Sequence, residues 1–217
     1  AFIIKIFIPA IYSGYSPILF AIITAVFSSL VTIYFTVGMN KKFVVALLGV
    51  TSGVLIAGIL SYIFTYTMRL NGFLDSDLLS CAYLLKKIKI KELIPAGVII
   101  GSLGAVMDVA VSITSSINEL HEANPNISKK SMFKSAINIG NDIIGTMINT
   151  LILAYIASSI FTLLLIYIQA NEYPLIRILN FQDIAVEIMR SVCGSIGILI
   201  SVPLTAYIGT LIYKKNK

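Results

Sequence analysis

One long apolar stretch, from Ile94 to Glu122, most constrains the fold of this chain. About 20 apolar residues are enough for a helix to cross the hydrocarbon core of a bilayer. This stretch is longer, and it carries one acid, Asp108, near its middle. A carboxylate at that depth costs about 2.5–3.5 kcal/mol on insertion scales, so it requires a partner, a proton or water. At helical spacing, small and polar residues share a face with it: Gly101, Gly104, Ala105, Ser112, Ser115 and Glu119.

The composition argues against a soluble domain. Of the 217 residues, 58% are hydrophobic and 12% are charged, whereas soluble domains carry about 25% charged residues. The apolar runs are also too long for the short alternating strands of a transmembrane β-barrel. The basic residues cluster in the loops between the apolar runs. The net charge of +6 therefore comes from the kind of positively charged loop that sets the orientation of a membrane protein. We expect the lipid bilayer as the main partner and no binding of nucleic acid.

The apolar runs predict an all-α protein, a polytopic membrane helical bundle with five full spans in a single transmembrane domain, residues 1–217. The predicted spans are 17–37, 43–68, 93–120, 139–168 and 184–213. Residues 1–12 are expected to be the end of a further helix, as in a fragment of a longer protein. By the positive-inside tendency, the side that collects Lys41, Lys42, residues 129–134 and the C-terminal lysines is cytoplasmic. The lysines of residues 86–91 disagree with strict alternation.

Two further spans carry polar stripes. The fourth span presents Asn138, Asn141, Asp142, Gly145, Thr146, Asn149 and Thr150 at helical spacing. Because amide side chains are costly against lipid, we expect this stripe to look into the bundle. The fifth span presents Glu187, Arg190, Ser191, Gly194, Gly197, Ser201 and Thr205.

Three motifs resemble the YibE/F family of bacterial membrane proteins. They are GSLGAVMDVAVSITSSINEL at 101–120, NIGNDIIGTMINTLILAYIASS at 138–159 and RSVCGSIGILISVPLTA at 190–206. The second motif usually reads IGRDIxGT in that family, and here Asn141 stands in place of the Arg. The resemblance implies a multi-pass protein of the bacterial inner membrane, but it implies no defined activity.

A weaker likeness links the chain to the membrane half of the resistance-nodulation-division exporters and the SecD/SecF translocation factors. In those proteins an Asp lies within a small-residue span, followed by a basic cytoplasmic segment and a span with Thr and Ser. Asp108, the segment 129–134 and the pair Thr146 and Thr150 are similar in order and spacing. This likeness implies a proton-driven process.

Asp108 is the main candidate for function. A carboxyl group in a low-dielectric setting can load and release a proton near neutral pH. With Ser112, Asp142, Thr146, Asn149 and Thr150 it forms a predicted ion or proton pathway. The alternative is an interhelical bond, in which Asp108 is joined to Asn149 or paired with Arg190.

The other candidate residues have structural interpretations beside the functional ones, or only structural ones. Asp142 is either a carboxylate stabilised near a helix N-terminus or a residue lining the cytoplasmic mouth of a pathway. Asn149 and Thr150 are either a coordination site or ordinary helix–helix hydrogen bonds. Glu187 and Arg190 lie one turn apart and are expected to form an ion pair. Five glycines are typical of close helix packing: Gly101, Gly104, Gly145, Gly194 and Gly197.

The sequence thus predicts a secondary transporter or an ion- or proton-coupled export component, moving an unknown small solute or ion. The alternative is a non-transporting membrane scaffold or accessory subunit. A homo-oligomer or a partner membrane subunit is possible in either case. No motif for a nucleophile, a metal or a cofactor is present, and Cys81 and Cys193 lack metal-ligand spacing. We therefore expect neither an enzyme nor a bound metal or cofactor.

Overall fold

A computed structural model of the chain describes residues 3–71, 88–169 and 174–213. Every regular element in these ranges is helical, which confirms the all-α prediction. A π-helical turn, Ile3–Phe7, leads into the short helix α1, Ile8–Tyr12. The other helices are α2 (Pro17–Val37), α3 (Lys41–Thr67), α4 (Ile90–Ala123), α5 (Lys129–Ser158), α6 (Ile160–Gln169), α7 (Leu175–Leu179) and α8 (Gln182–Tyr213).

Five of these helices, α2, α3, α4, α5 and α8, are long and apolar enough to cross a bilayer. The prediction of five spans is therefore confirmed, and a short apolar helix, Ile3–Tyr12, precedes them. The fourth span differs most from its predicted bounds. Its helix begins at Lys129 instead of residue 139, because Ser128 caps it by accepting a hydrogen bond from the Ser131 N–H at 3.1 Å. It also ends at Ser158, before the predicted end at residue 168.

The helix α4 lies at the centre of the bundle and packs against α2, α3, α5 and α8. Its most apolar stretch is 56% buried, against 11% for α5, which lies at the edge. A close crossing joins α3 and α8, where Gly53 and Gly197 face each other. A Cβ atom on Gly197 would lie 2.8 Å from the Ala57 Cβ and 3.1 Å from the Gly53 carbonyl oxygen. Glycine at both positions therefore lets the two backbones touch.

Side-chain contacts define the two ends of the bundle. At one end the Lys42 Nζ lies 3.9 Å from the Glu119 Oε1, and the Tyr213 hydroxyl donates to the Asn118 Oδ1 at 3.0 Å. The α2–α3 turn, the end of α4 and the end of α8 are therefore at the same end. At the other end the Asn71 N–H donates to the Gln182 Oε1 at 3.4 Å.

The two cysteines are differently placed. Cys193 is buried and is not in a disulfide, in line with its place inside α8. Cys81 lies outside the described residues, as do Lys86, Lys87 and the C-terminal lysines.

Candidate functional site

Asp108 lines a groove on the outside of the bundle, between α2 and α5. The groove has a volume of about 330 Å³. Thr32 and Thr36 of α2 line one wall, Asp108 and Ser112 of α4 form the floor, and Met147 of α5 lines the other wall. The carboxyl side chain is exposed. The low-dielectric setting expected for this acid is not formed by the helices of the single chain, because α2 and α5 leave a gap over the middle of α4.

Asp108 has no hydrogen-bond or ion-pair partner in the ranges that the structure describes. The two partners proposed from the sequence are both elsewhere. Arg190 pairs with Glu187 on its own helix, and Asn149 lies on an exposed part of α5. Asp108 is therefore an exposed carboxyl group without a counter-charge among the described residues.

The polar stripe of α5 faces outward. Thr146 and Thr150 are exposed, and their hydroxyls donate to carbonyl oxygens of the same helix at 2.8 Å, those of Ile143 and Thr146. Asn149 is exposed as well. The prediction that this stripe looks into the bundle is wrong for the single chain, because the opposite, apolar face of α5 packs on α4 and α8.

Asp142 does not lie near a helix N-terminus. Because α5 starts at Lys129, Asp142 is more than three turns into the helix. The helix dipole acts on charges within about the first turn, so the interpretation of Asp142 as an N-terminal carboxylate is wrong. Its side chain is exposed on the same face as Thr146 and Asn149.

Neighbouring helices α4 and α5 both expose small and polar residues, and we call this set the open polar face. It consists of Gly104, Asp108 and Ser112 on α4 and Asn141, Asp142, Gly145, Thr146, Asn149 and Thr150 on α5. Many exposed positions of α2, α3 and α8 carry large apolar side chains instead, among them Phe27, Phe35, Leu55, Ile59, Val192 and Leu199. The α4–α5 flank is thus more polar than these lipid-compatible surfaces.

A second polar cluster lies between α4, α5 and α8, toward the opposite end of the bundle. The Arg190 Nη1 lies 2.7 Å from the Glu187 Oε1, with the two side chains 24% and 26% exposed. The predicted Glu187–Arg190 pair is therefore present. The Glu187 Oε2, the Arg190 Nε and the Tyr155 hydroxyl are buried without a hydrogen-bond partner in the described chain. Tyr155 and Glu187 also line a cavity of about 290 Å³ between α5 and α8.

The five predicted packing glycines separate into two groups. Gly101, Gly194 and Gly197 lie in contacts: Cβ atoms there would lie 3.0 Å from the Tyr155 hydroxyl, 2.9 Å from the Leu151 Cδ2 and 2.8 Å from the Ala57 Cβ. Gly104 and Gly145 have no atom within 4 Å of such a Cβ. These last two lie on the open polar face, so nothing within the described chain requires their small size.

Sequence reasoning missed Thr32, Thr36 and Tyr155. The two threonines are four residues apart on one face of α2. This pattern alone indicates only that their hydroxyls can donate hydrogen bonds to main-chain carbonyl oxygens of the same helix. The Thr36 hydroxyl does donate to the Thr32 carbonyl oxygen at 2.8 Å. Their place in the Asp108 groove depends on which face α2 turns toward α4, which spacing within α2 does not reveal.

Comparison with known proteins gives one match. The family model described as YibE/F-like protein matches residues 1–215, nearly the whole chain. Neither a curated protein nor a solved structure matches the chain.

Proposed function

The chain belongs to the YibE/F-like family, and from this premise we propose that it is an ion- or proton-coupled transport component. It would act in the bacterial cytoplasmic membrane, with the α2–α3 turn and the end of α8 on the cytoplasmic side. The observation that carries the proposal is the unpaired carboxyl of Asp108 in its groove. Ionisable groups inside membrane spans are costly and mark ion or proton pathways more often than structure.

Three other acids of the described chain differ from Asp108 in having a basic partner. Glu187, Glu92 and Glu119 each have a basic partner within 4.0 Å, namely Arg190, Lys89 and Lys42. A structural role is sufficient for those acids, because pairing offsets their charge. Asp108 lacks such a partner, so it can gain or lose a proton, or bind a small cation, without breaking a bond within the bundle.

The surroundings of Asp108 suit that role. Ser112, Thr32 and Thr36 place hydroxyl oxygens along the groove, and hydroxyl and carboxylate oxygens suit both hard cations and a protonated carboxyl. The groove opens sideways, so access to water depends on what covers it. In this mechanism Asp108 takes up a proton or cation from one side of the membrane and releases it to the other.

Reactivity of Asp108 with a hydrophobic carbodiimide tests this proposal without a known solute. The reagent modifies protonated carboxyls in apolar surroundings. We expect an adduct at Asp108, located by mass spectrometry, when the protein is treated between about pH 5 and about pH 9. Glu187 is the internal control, since it is paired with Arg190 at 2.7 Å and should stay unmodified. Absence of the adduct across this range would contradict a titrating carboxyl.

Asp108→Asn is expected to abolish potential-driven proton entry into proteoliposomes that contain a pH-sensitive dye. The substitution keeps the size and exposure of the side chain, so the fold should be retained, while the titratable group is lost. Glu119→Gln, at an acid that is 73% exposed and paired with Lys42, is the control and should keep most of the activity. Proton entry at the wild-type rate in Asp108→Asn, or no entry in the wild type, would favour the scaffold alternative instead.

A further inference from the structure

We infer that the open polar face is the contact surface for a second copy of this chain, so that the groove at Asp108 is completed by α5 of the partner copy. This inference does not depend on transport, because a dimer can be detected in membranes without any ion gradient. If the proposed function also holds, Asn149 of the second copy becomes a further residue of the site at Asp108.

Some protein must cover this face within a bilayer. Lipid tails offer no hydrogen bonds, and polar side chains in spanning helices are found against other helices or water-filled cavities. Here Asp108, Asn149 and Thr150 are exposed together, whereas the exposed positions of α3 and α8, such as Leu55 and Leu199, are apolar. The α4–α5 flank of the described chain is therefore less suited to lipid than the exposed surfaces of α3 and α8.

The face is suited to close approach by another helix. Gly104 and Gly145 have free space around the position of a Cβ, and small residues let the backbones of membrane helices come together. The other glycines of α4, α5 and α8, Gly97, Gly101, Gly140, Gly194, Gly197 and Gly209, already have neighbours within 4 Å of that position. The two without neighbours lie on this polar flank, where a helix of the partner would supply the missing contact.

Complementary chemistry favours the same chain as partner. A two-fold axis along the membrane normal brings residues of equal depth together, and such an interface must be self-complementary. Asp108 and Met147 line the same groove, and Asn149, two residues after Met147, lies only about 3 Å further along α5, so it is at nearly the depth of Asp108. The carboxylate only accepts hydrogen bonds, whereas the amide of Asn149 offers two N–H donors. Asn149 has no partner among the described residues. In a symmetric dimer the Asn149 amide of each copy would donate to the Asp108 carboxylate of the other, which gives two such contacts.

Cysteine cross-linking of the full chain in membranes tests this inference. In a background with Cys81→Ser and Cys193→Ala, we expect Gly104→Cys and Gly145→Cys to form a covalent dimer with an oxidant or a short bismaleimide. The product should have twice the mass of the 23.6 kDa chain. Leu55→Cys, exposed on α3, is the matched control and should stay monomeric. Equal cross-linking at all three positions, or none, would overturn the inference, and a product of another mass would identify a different protein as the partner.

Gly145→Leu separates loss of the dimer from loss of the fold. Since no atom lies within 4 Å of its Cβ position, the single chain should remain helical and soluble in detergent. The larger side chain should nevertheless shift the mass of the detergent-solubilised protein from dimer to monomer. A folded Gly145→Leu variant that stays dimeric would also contradict the inference.

Discussion

Gly53→Leu and Gly197→Leu are each expected to prevent assembly of the bundle. A Cβ on Gly53 would already lie 2.8 Å from both the Ser201 Cβ and the Val106 Cγ1, and 3.1 Å from the Gly197 carbonyl oxygen. Three helices meet at this point, and the Gly197 contact is backbone, which cannot move aside. Adding even one or two carbons to a well-packed core costs about 1–3 kcal/mol, and Leu adds more.

The measurement is thermal unfolding in detergent, followed by circular dichroism and by the yield of monodisperse protein. Gly145→Leu is the matched control, since it makes the same substitution in a spanning helix where the Cβ would meet no atom within 4 Å. It should unfold at the temperature of a wild-type sample held at the same oligomeric state. Unfolding of Gly53→Leu at that same temperature would show that α3 and α8 are not packed as described.

Arg190→Met is expected to destabilise the bundle by about 3 kcal/mol, because it leaves the carboxylate of Glu187 buried without a counter-charge. Three-quarters of each side chain is out of contact with solvent, so water can compensate for only part of this loss. The Arg190 Nη2 also lies 3.5 Å from the Cβ position at Gly97. The guanidinium therefore fills space between α4 and α8 as well as pairing with Glu187.

The double variant Glu187→Gln/Arg190→Met tests this explanation, since removal of both charges should restore most of the lost stability. Lys42→Met provides a comparison at a looser pair. Its partner Glu119 is 3.9 Å away and 73% exposed, so the expected effect is below about 1 kcal/mol. If Arg190→Met and Lys42→Met unfold at the same denaturant concentration, the Glu187–Arg190 pair contributes no more to stability than the exposed Lys42–Glu119 pair.

Much of the fold could be predicted from the sequence because bilayer thickness limits the length of each apolar run. The predicted start and end of the first span match α2, Pro17–Val37. The predicted fourth span starts at residue 139 because the first turns of its helix, with Lys129, Lys130 and Lys134, are too polar to count as membrane. Ser128 is the signal for the start of the helix itself, since capping marks where a helix begins regardless of hydropathy.

The candidate site was only partly predictable. Spacing indicated correctly that Asp108 and Ser112 share a face, and that Thr146, Asn149 and Thr150 share another. It could not reveal what each face meets, because that depends on how far α2 and α5 are apart across α4. We expected the polar faces of the spanning helices to turn inward. In a single chain this holds only for a polar face that other helices of the same chain cover.

The contact between Gly53 and Gly197 also has a consequence for biosynthesis. The two glycines lie on α3 and α8, and α4 to α7 separate these helices along the chain. During translation α3 is therefore made long before the helix that packs on its glycine ridge. The Gly53 contact with Val106 of α4 can form as soon as α4 is made, whereas the contact with Gly197 must wait for α8.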